Sequence, residues 1–283
     1  MVRHHLENSQ YFWHLEPSCE ISSKLGFVAR SIAVANQKGG VAKTTTVHNL
    51  GYALAKKNAR VLLIDLDPQG CLTYSVGIDP DSLQVSVHDI FVRRAKAVDV
   101  KVAIESEDAK MVLDILPANI DLAGSEVYLL TRTGREHVLS RALKPLAEEY
   151  DFVLIDCPPS LGVLTINGLS AADEVVVPMQ CETLSHRGVG QLLEILEDVK
   201  TFANPHLKVR GVIATMYDGR TRHAREMLES LGTRYGLEVL DPPVHKSIRF
   251  AESPSRGVSI HQHAPVSPGA RAYAAIAEQL MKG

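Results

Sequence analysis

A short glycine-containing segment near the start of the chain carries two lysines and two threonines. It reads Lys38-Gly39-Gly40-Val41-Ala42-Lys43-Thr44-Thr45. Backbone N–H groups at the start of a helix wrap phosphate oxygens, a lysine placed like Lys43 reaches the β- and γ-phosphates, and a hydroxyl placed like that of Thr44 is a ligand for Mg²⁺. Gln37 and Ala42 stand at the two glycine positions of the strict phosphate-loop pattern. The segment still predicts that residues 38–45 bind a nucleoside triphosphate.

Three aspartates follow apolar runs farther along the chain. Asp65 and Asp67 come directly after Val61–Ile64, and Asp156 ends the run Phe152–Ile155. Asp65 and Asp67 are two residues apart at the end of a strand, so their side chains share a face. Carboxylates beside a phosphate loop can serve Mg²⁺, which keeps several of its waters, and can serve the attacking water. No glutamate follows Asp156, so this strand is not followed by a second acidic residue that could act as a base.

The elements that must position these residues follow a regular pattern. Apolar runs that read as buried strands alternate with longer segments of helical period, which predicts an α/β fold: a doubly wound, mostly parallel sheet with helices on both faces. The predicted strands are Ile32–Ala35, Val61–Ile64, Val112–Leu116, Phe152–Ile155, Val175–Pro178 and Val209–Thr215. The predicted helices include Thr45–Lys57, Arg135–Glu149, Val189–Phe202 and Arg222–Tyr235. Ligands of such sheets bind at the carboxyl ends of the strands.

Length and composition set the domain organisation. The 283 residues are 45% hydrophobic and 22% charged, which excludes disordered, collagen-like and disulfide-scaffold proteins. Residues 1–28 lack periodicity and read as a weakly ordered N-terminal extension, with a short helix around Ser9–Leu15. Residues 29–283 are predicted to form a single domain that contains the phosphate loop. No apolar run approaches the roughly 18 residues of a membrane-spanning helix, and no secretory signal is visible.

Cysteines and charge bear on compartment and partners. Cys19, Cys71, Cys157 and Cys181 form no C-x-x-C pair, which favours reduced thiols and a cytoplasmic location. The net charge is −3, so the chain as a whole gives no reason to expect nucleic-acid binding. Residues 205–256, however, hold nine Lys and Arg against six Asp and Glu. This segment either faces a local anionic partner or reflects chance fluctuation.

Several spaced motifs together resemble one family. They are K-G-G-V-A-K-T-T, D-L-D-P-Q-G, L-I-D-C-P-P-S, V-V-V-P-M-Q-C-E, T-M-Y-D-G-R-T and I-R-F-A-E-S-P-S. This order resembles the ParA/Soj-type partition ATPases of the deviant Walker A (ParA/MinD) family, over roughly residues 31–283. The resemblance implies Mg²⁺-dependent hydrolysis of ATP. It also implies that Lys38 crosses a dimer interface to the phosphates bound by the other subunit.

The resemblance assigns roles to the candidate site residues. Lys38, Lys43 and Asp67 would be catalytic, with Asp67 positioning the lytic water. Thr44, Asp65 and Asp156 would serve Mg²⁺, with Asp65 in the outer shell. The segment Pro158–Asn167 resembles a switch that senses the γ-phosphate. The base pocket is less defined, because Val244-His245-Lys246-Ser247 replaces the P-R-N common in the family, and its candidate residues are Thr215, Met216, His245 and Lys246.

The resemblance also implies partners. An ATP-bound homodimer would bind double-stranded DNA without sequence preference, and a ParB-type protein would stimulate hydrolysis. The outcome would be segregation of a chromosome or plasmid, or positioning of another cargo, by a nucleoid-associated cytoplasmic protein. Arg220 and Arg249 match the family's DNA-binding arginines. Lys246, Arg222, Arg225 and Arg256 could extend that surface, since non-specific binding needs only cations that face phosphates.

Three other functions remain as alternatives. A MinD-like membrane-cycling ATPase would need a basic amphipathic helix at the C-terminus. The segment Ala270–Gly283 lacks a basic stripe and reads as a packing helix, so no membrane partner is expected. An iron–sulfur reductase would need cysteines placed to bridge a cluster between subunits, a pattern that Cys157 and Cys181 do not match. A binding switch without hydrolysis would not need Lys38, Lys43 and Asp67 together.

Overall fold

The structure, a computed structural model, describes residues 29–106, 108–181 and 185–282. These residues form one eight-stranded sheet. The strands are β1 (Arg30–Val34), β2 (Val61–Asp65), β3 (Val102–Ala103), β4 (Leu113–Leu116), β5 (Phe152–Asp156), β6 (Glu174–Gln180), β7 (Lys208–Thr215) and β8 (Val239–Leu240). Their order is β3-β4-β2-β5-β1-β6-β7-β8. All neighbours are parallel except β3 and β4, which are antiparallel. The helix predicted around Ser9–Leu15 lies outside the described residues.

The helices connect these strands, and the last three helices follow β8. They are α1 (Lys43–Ala55), α2 (Cys71–Ser75), α3 (Val87–Phe91), α4 (Ala97–Val100), α5 (Leu122–Leu129), α6 (Val138–Leu143), α7 (Val163–Ala171), α8 (Ser185–Phe202), α9 (Arg222–Tyr235), α10 (Arg249–Glu252), α11 (Ile260–His263) and α12 (Pro268–Lys282). Short 3₁₀ turns occupy Pro80–Ser82, Arg135–His137, Lys144–Leu146 and Pro254–Arg256.

Both faces of the sheet are covered, because strand residues alternate between two hydrophobic clusters. Ile32 and Val34 of β1 pack in one cluster with residues of α1 and α12. Ala33, between them, packs in the other cluster with residues of α7 and α8. Alternate side chains of a strand point to opposite faces, so continuous apolar strands need helices on both sides. The predicted doubly wound, mostly parallel α/β fold is therefore confirmed.

The segment from Arg135 to Glu149 departs from its prediction. A single helix was expected, but the chain forms a 3₁₀ turn, the helix α6 and a second 3₁₀ turn at Lys144–Leu146. Pro145 lies inside that second turn. A proline has no N–H to donate and its ring clashes with the preceding turn, so a regular helix cannot continue through it. The two-residue edge strands β3 and β8 were also missed, because they are too short to show periodicity.

The C-terminal helix α12 packs into the core. It lies against α1 and buries Tyr273, Ile276, Ala277 and Leu280. The Tyr273 hydroxyl also bonds the Thr46 hydroxyl of α1 over 3.0 Å. The apolar face that a lipid-binding helix would present is thus used inside the protein, and the reading of this segment as a packing helix is confirmed. Within the described ranges, no helix combines the length and apolarity needed to span a bilayer.

Candidate nucleotide site

The phosphate loop joins β1 to α1 at the carboxyl edge of the sheet. Buried Asn36 anchors its start: the side-chain amide donates to the Pro178 carbonyl over 2.7 Å, and the side-chain oxygen accepts the Lys38 N–H at 3.0 Å. Gly40 (φ 71°) and Ala42 (φ 68°) both adopt left-handed backbone, and α1 begins at the next residue. These two bends turn the chain from the strand directly into the helix, so its first N–H groups face the cleft.

Ala42 occupies a conformation that suits glycine. A left-handed residue brings its Cβ close to the following carbonyl, which costs about 1–2 kcal/mol for a residue other than glycine. This explains in physical terms why the strict phosphate-loop pattern has glycine there. Ala42 adopts this conformation with the smallest side chain that carries a Cβ. The departure from the pattern therefore adds strain at the residue before α1.

Lys43, the first residue of α1, is buried although it carries a charge. Its ammonium group donates to the carbonyl of Lys38 over 3.2 Å, so the side chain lies back along the loop. Burial lowers the pKa of Lys43, while the charge of Asp156 opposes that shift. A buried cation at the start of a helix, beside a glycine-containing loop, is suited to bind a phosphate group.

Thr44 and Asp156 form the centre of the site. The Thr44 hydroxyl donates to Asp156 Oδ2 over 2.6 Å. The other carboxylate oxygen, Oδ1, is buried and has no hydrogen-bond partner. Burial raises the pKa of Asp156 well above its usual value, and the charge of Asp65 raises it further. An unpartnered buried carboxylate oxygen beside a threonine hydroxyl fits a divalent cation, which would supply the missing charge.

This donor set favours Mg²⁺ over a fully protein-bound metal. Among the described residues, no group of three or more His, Cys, Asp and Glu side chains is arranged to hold an ion. Mg²⁺ is usually held by one or two protein oxygens, with waters and substrate phosphates completing its shell. Thr44 and Asp156 provide that number of ligands next to the phosphate loop.

Asp65 is fully buried at the end of β2, with protein donors on both carboxylate oxygens. The Thr73 N–H and hydroxyl donate to Oδ2 over 2.9 and 2.8 Å, and the Asp67 N–H donates to Oδ1 over 3.1 Å. Burial raises the pKa of Asp65 to about 6, against the effect of these bonds. Asp65 thereby ties α2 and the Asp67 loop to the sheet, and its expected place in the outer shell of Mg²⁺ stays a prediction.

The site opens into a cleft of about 970 Å³, large enough for a nucleotide. The phosphate loop and half-buried Asp67 line one part of it, while Thr215, Met216, His245 and Lys246 line another. The Tyr217 N–H bonds the Val244 carbonyl over 3.0 Å, which places the ends of these two segments side by side. The structure thus puts all the base-pocket candidates on the same cleft as the phosphate loop.

Some lining residues have no motif that could have revealed them. His48 and Asn49 on the second turn of α1 and Tyr74 on α2 face the cleft, and they lie outside every motif that the sequence shows. Phe250 on α10 also lines the cleft, from within the motif I-R-F-A-E-S-P-S. Only the packing of α1, α2 and α10 around the cleft brings them together.

Lys38 is exposed, in contrast to Lys43. Its ammonium group donates to the side-chain oxygen of Gln180, at the end of β6, over 3.1 Å. The lysine therefore lies at the surface beside the phosphate loop, where a second molecule could meet it. Its predicted role in a dimer stays a prediction.

The predicted DNA-binding cations are on the surface. Arg220, with a side chain 91% exposed, makes a two-pronged contact with Asp218 over 2.8 and 2.7 Å, and this bond lowers the pKa of Asp218 to about 2. Arg222 contacts Glu226 over 2.5 Å, and Lys246 and Arg249 are also exposed. We call Arg220, Arg222, Lys246 and Arg249 the basic tip. Backbone pairing of Tyr217 with His245 brings its two segments next to each other.

Comparison with known proteins decides the family. A family model described as "AAA domain" matches residues 29–209. The sporulation initiation inhibitor protein Soj of Bacillus subtilis is 41% identical over 253 residues, which cover 89% of this chain and 98% of Soj. The chromosome partitioning protein ParA of Myxococcus xanthus is 39% identical over 255 residues, 90% of this chain and 89% of ParA.

The chain belongs to the ParA/Soj family.

A solved structure is also similar to this ParA/Soj-family chain. A Mycobacterium smegmatis protein named cobyrinic acid a,c-diamide synthase, with a bound ATP analogue and magnesium, is 50% identical. The match covers 90% of this chain and 95% of that one, with a TM-score of 0.79. The resemblance inferred from the motifs is thus confirmed. The family model ends at residue 209, so the phosphate loop and the three aspartates lie within it and the basic tip lies beyond it.

Proposed function

We propose that this ParA/Soj-family chain binds ATP with Mg²⁺, forms a nucleotide-dependent dimer, binds DNA without sequence preference and hydrolyses ATP when a ParB-type partner engages it. Such a cycle would partition a chromosome or plasmid, or position another cargo, on the nucleoid. The observation that carries the proposal is the pair Thr44–Asp156, with its unpartnered buried oxygen, beside buried Lys43 at the start of α1. The ATP analogue and magnesium bound to the 50% identical relative support ATP and Mg²⁺ as the cofactors.

Each site residue has a physical role in this proposal. Thr44 and Asp156 hold Mg²⁺, which supplies charge neutralisation for the transferred phosphoryl group. Lys43 and the N–H groups of the loop bind the β- and γ-phosphates. Asp67 accepts a hydrogen bond from the attacking water and orients it toward the γ-phosphate. Lys38 reaches the phosphates of the second subunit, where an added cation offsets the charge that develops during transfer.

Dimerisation explains how a chain of net charge −3 would bind DNA. One basic tip offers few cations, and Arg220 and Arg222 already contact acidic neighbours. A dimer doubles the number of cations that face one duplex. Because each phosphate contact releases condensed counterions, affinity grows steeply with the number of contacts and falls steeply with salt.

The test measures phosphate release by the purified chain with Mg²⁺ and ATP, alone and with DNA. Sedimentation under the same conditions gives the oligomeric state. We expect slow hydrolysis and a dimer that appears only with ATP. A monomer at saturating ATP would contradict the proposed cycle. Adding liposomes in a further arm tests the MinD-like alternative, which predicts ATP-dependent binding to lipid.

The name of the Mycobacterium smegmatis relative points to a second activity, ATP-dependent amidation of a corrinoid acid. An enzyme that draws ammonia from glutamine commonly uses a cysteine thiolate, and reactive thiolates have lowered pKa values. Burial raises the pKa values of Cys71, Cys157 and Cys181 in this chain. The described thiols therefore lack the lowered pKa that favours a reactive thiolate. If phosphate release required cobyrinic acid and ammonia, and its rate did not change with DNA, amidation would be favoured over partition.

A further inference from the structure

Lys38 and Met216 are connected through a single side chain, that of Gln180. Lys38 Nζ donates to Gln180 Oε1 over 3.1 Å, and Gln180 Nε2 donates to Met216 Sδ over 2.9 Å. Gln180 is the last residue of β6, which pairs with both β1 and β7. It therefore lies between the phosphate loop, which follows β1, and Met216, which follows β7.

The chemistry of its two neighbours fixes the orientation of this amide. A lysine ammonium can only donate a hydrogen bond, and a thioether sulfur can only accept one. The amide oxygen of Gln180 must then face Lys38, and its NH₂ group must face Met216. The reversed amide would set two donors against each other and leave the sulfur opposite an oxygen.

The supports of this amide are themselves held in place. Met216 has a left-handed backbone (φ 48°), which turns the chain sharply at the end of β7. The preceding Thr215 is buried, and its hydroxyl donates to the carbonyl of Val41 in the phosphate loop over 3.0 Å. The end of β7 is thus tied to the same loop that carries Lys38. Gln180 and Met216 are thus connected to the loop that carries Lys38.

We propose that Gln180 is a positioning residue for Lys38, which it holds in one orientation before a second subunit arrives. The inference rests on the proposed nucleotide-dependent dimer. An unrestrained lysine loses rotamer freedom when it binds across an interface, and that loss weakens association. A lysine already restrained by Gln180 loses less. Met216 also lines the cleft. The Gln180 amide therefore connects a residue of the proposed nucleotide site with the lysine that would enter the partner's site.

The first measurement uses the nucleotide-free protein and therefore needs neither ATP nor a dimer. Carbon-13 relaxation of the Lys38 ε-carbon reports how freely the side chain moves on the ps–ns timescale. We expect Gln180→Leu to increase this motion. Gln180→Glu keeps an acceptor opposite Lys38 and should leave the ε-carbon restrained. Gln191→Leu makes the same chemical change at an exposed position of α8 and should leave the Lys38 relaxation unchanged.

The second measurement is the dimer dissociation constant at saturating ATP, from sedimentation. Each subunit contributes one lysine, so we expect Gln180→Leu to weaken the dimer by about tenfold. ATP affinity of the monomer should stay within about twofold of wild type, because Gln180 does not line the cleft. A lysine equally restrained in wild type and Gln180→Leu would overturn the proposal, as would an unchanged dimer constant with a more mobile lysine.

Two further arms keep the test decisive. If Gln180→Leu does not fold, Met216→Leu removes the acceptor that orients the amide and leaves Gln180 and Lys38 in place. It should increase the motion of Lys38 by a smaller amount, and no increase would overturn the proposal. If the wild-type protein does not dimerise with ATP, the proposed function fails, whereas the relaxation measurement still decides whether Gln180 restrains Lys38.

Discussion

The nucleotide site and the basic tip use charge in opposite ways. At the nucleotide site, Lys43 and Asp156 are buried, and an unpartnered carboxylate oxygen leaves the site electrostatically incomplete. At the basic tip, Arg220 and Arg222 are exposed and already contact acidic neighbours. A buried charge is expensive to leave unpaired, so the first site is built for one ligand in one geometry. Exposed ion pairs are weak and exchangeable, which suits contact with any stretch of phosphate backbone.

The largest expected effect concerns the buried charge of the nucleotide site. Lys43→Ala removes the cation that faces the phosphates and should weaken ATP binding by at least about 100-fold, as expected for a desolvated charged contact. Isothermal titration with ATP and Mg²⁺ measures this. Lys56→Ala removes an exposed lysine at the end of the same helix and is the matched control. Equal ATP affinity in both variants would remove Lys43 from the site.

Asp67 separates catalysis from binding at that site. Asp67→Ala should bind ATP and dimerise, but hydrolysis should fall at least about 100-fold, because orienting and deprotonating the water contributes about 10²–10⁴-fold. Single-turnover phosphate release gives the rate. Asp81→Ala removes another carboxylate that lines the cleft and should hydrolyse ATP as wild type does. Near-normal turnover in Asp67→Ala would assign the water to another group.

DNA retardation across a salt series tests the exposed cations of the basic tip. Two to four phosphate contacts per subunit predict a log–log slope of roughly −4 to −7 for an ATP-bound dimer. Arg249→Glu and Arg220→Glu should each reduce binding strongly while ATP affinity stays unchanged. Arg141→Glu makes the same charge change on α6 and is the control. An unchanged salt slope in Arg249→Glu, or equally tight DNA binding without ATP, would contradict the proposal that the basic tip of an ATP-bound dimer binds DNA.

Buried histidines beside the nucleotide site predict a pH dependence of stability. Burial lowers the pKa of His48 to about 4, with a further contribution from the nearby charge of His261. Below pH 6.5 the unfolded chain takes up a proton that folded His48 does not, so the free energy of unfolding falls as the pH drops from 6.5 toward 4. At pH 5 this amounts to about 2 kcal/mol.

Urea unfolding at pH 7 and pH 5 measures that loss. His48→Gln should reduce the difference between the two pH values by about 2 kcal/mol. His206→Gln, at an exposed position, should leave the difference as in wild type. A difference that His48→Gln does not change would mean that folded His48 titrates as it does in the unfolded chain.

The smallest expected effect concerns Ala42. Ala42→Gly relieves the left-handed strain but adds freedom to the unfolded chain, so we expect a net gain in stability of about 0.5 kcal/mol. Ala274→Gly, in the right-handed helix α12, should lower stability by about 0.5–1 kcal/mol. Thermal unfolding of both variants shows whether each substitution raises or lowers stability. A loss of stability in Ala42→Gly would show that the loop tolerates an alanine there without strain.

Most candidate residues of the nucleotide site could be located from the sequence, because they lie close together along the chain or at the ends of apolar runs. Residues 35–42 connect β1 to α1, and Lys43 and Thr44 are the first two residues of α1, so the local backbone geometry fixes where their side chains point. Strand-forming runs and the acids that end them were visible for the same reason. Continuous apolar strands also determined that helices must cover both faces of the sheet.

Tertiary structure alone decided which distant residues meet. Thr44 bonds Asp156, 112 positions away, because β5 lies beside β1 in the sheet and Val34 is in register with Asp156. Gln180 reaches both Lys38 and Met216 only because β6 separates β1 from β7. The position of Tyr74 of α2 at the cleft had no sequence signal either. Local patterns record the preferences of a few neighbouring residues, whereas these contacts depend on the order in which strands pack, which the burial of the whole core determines.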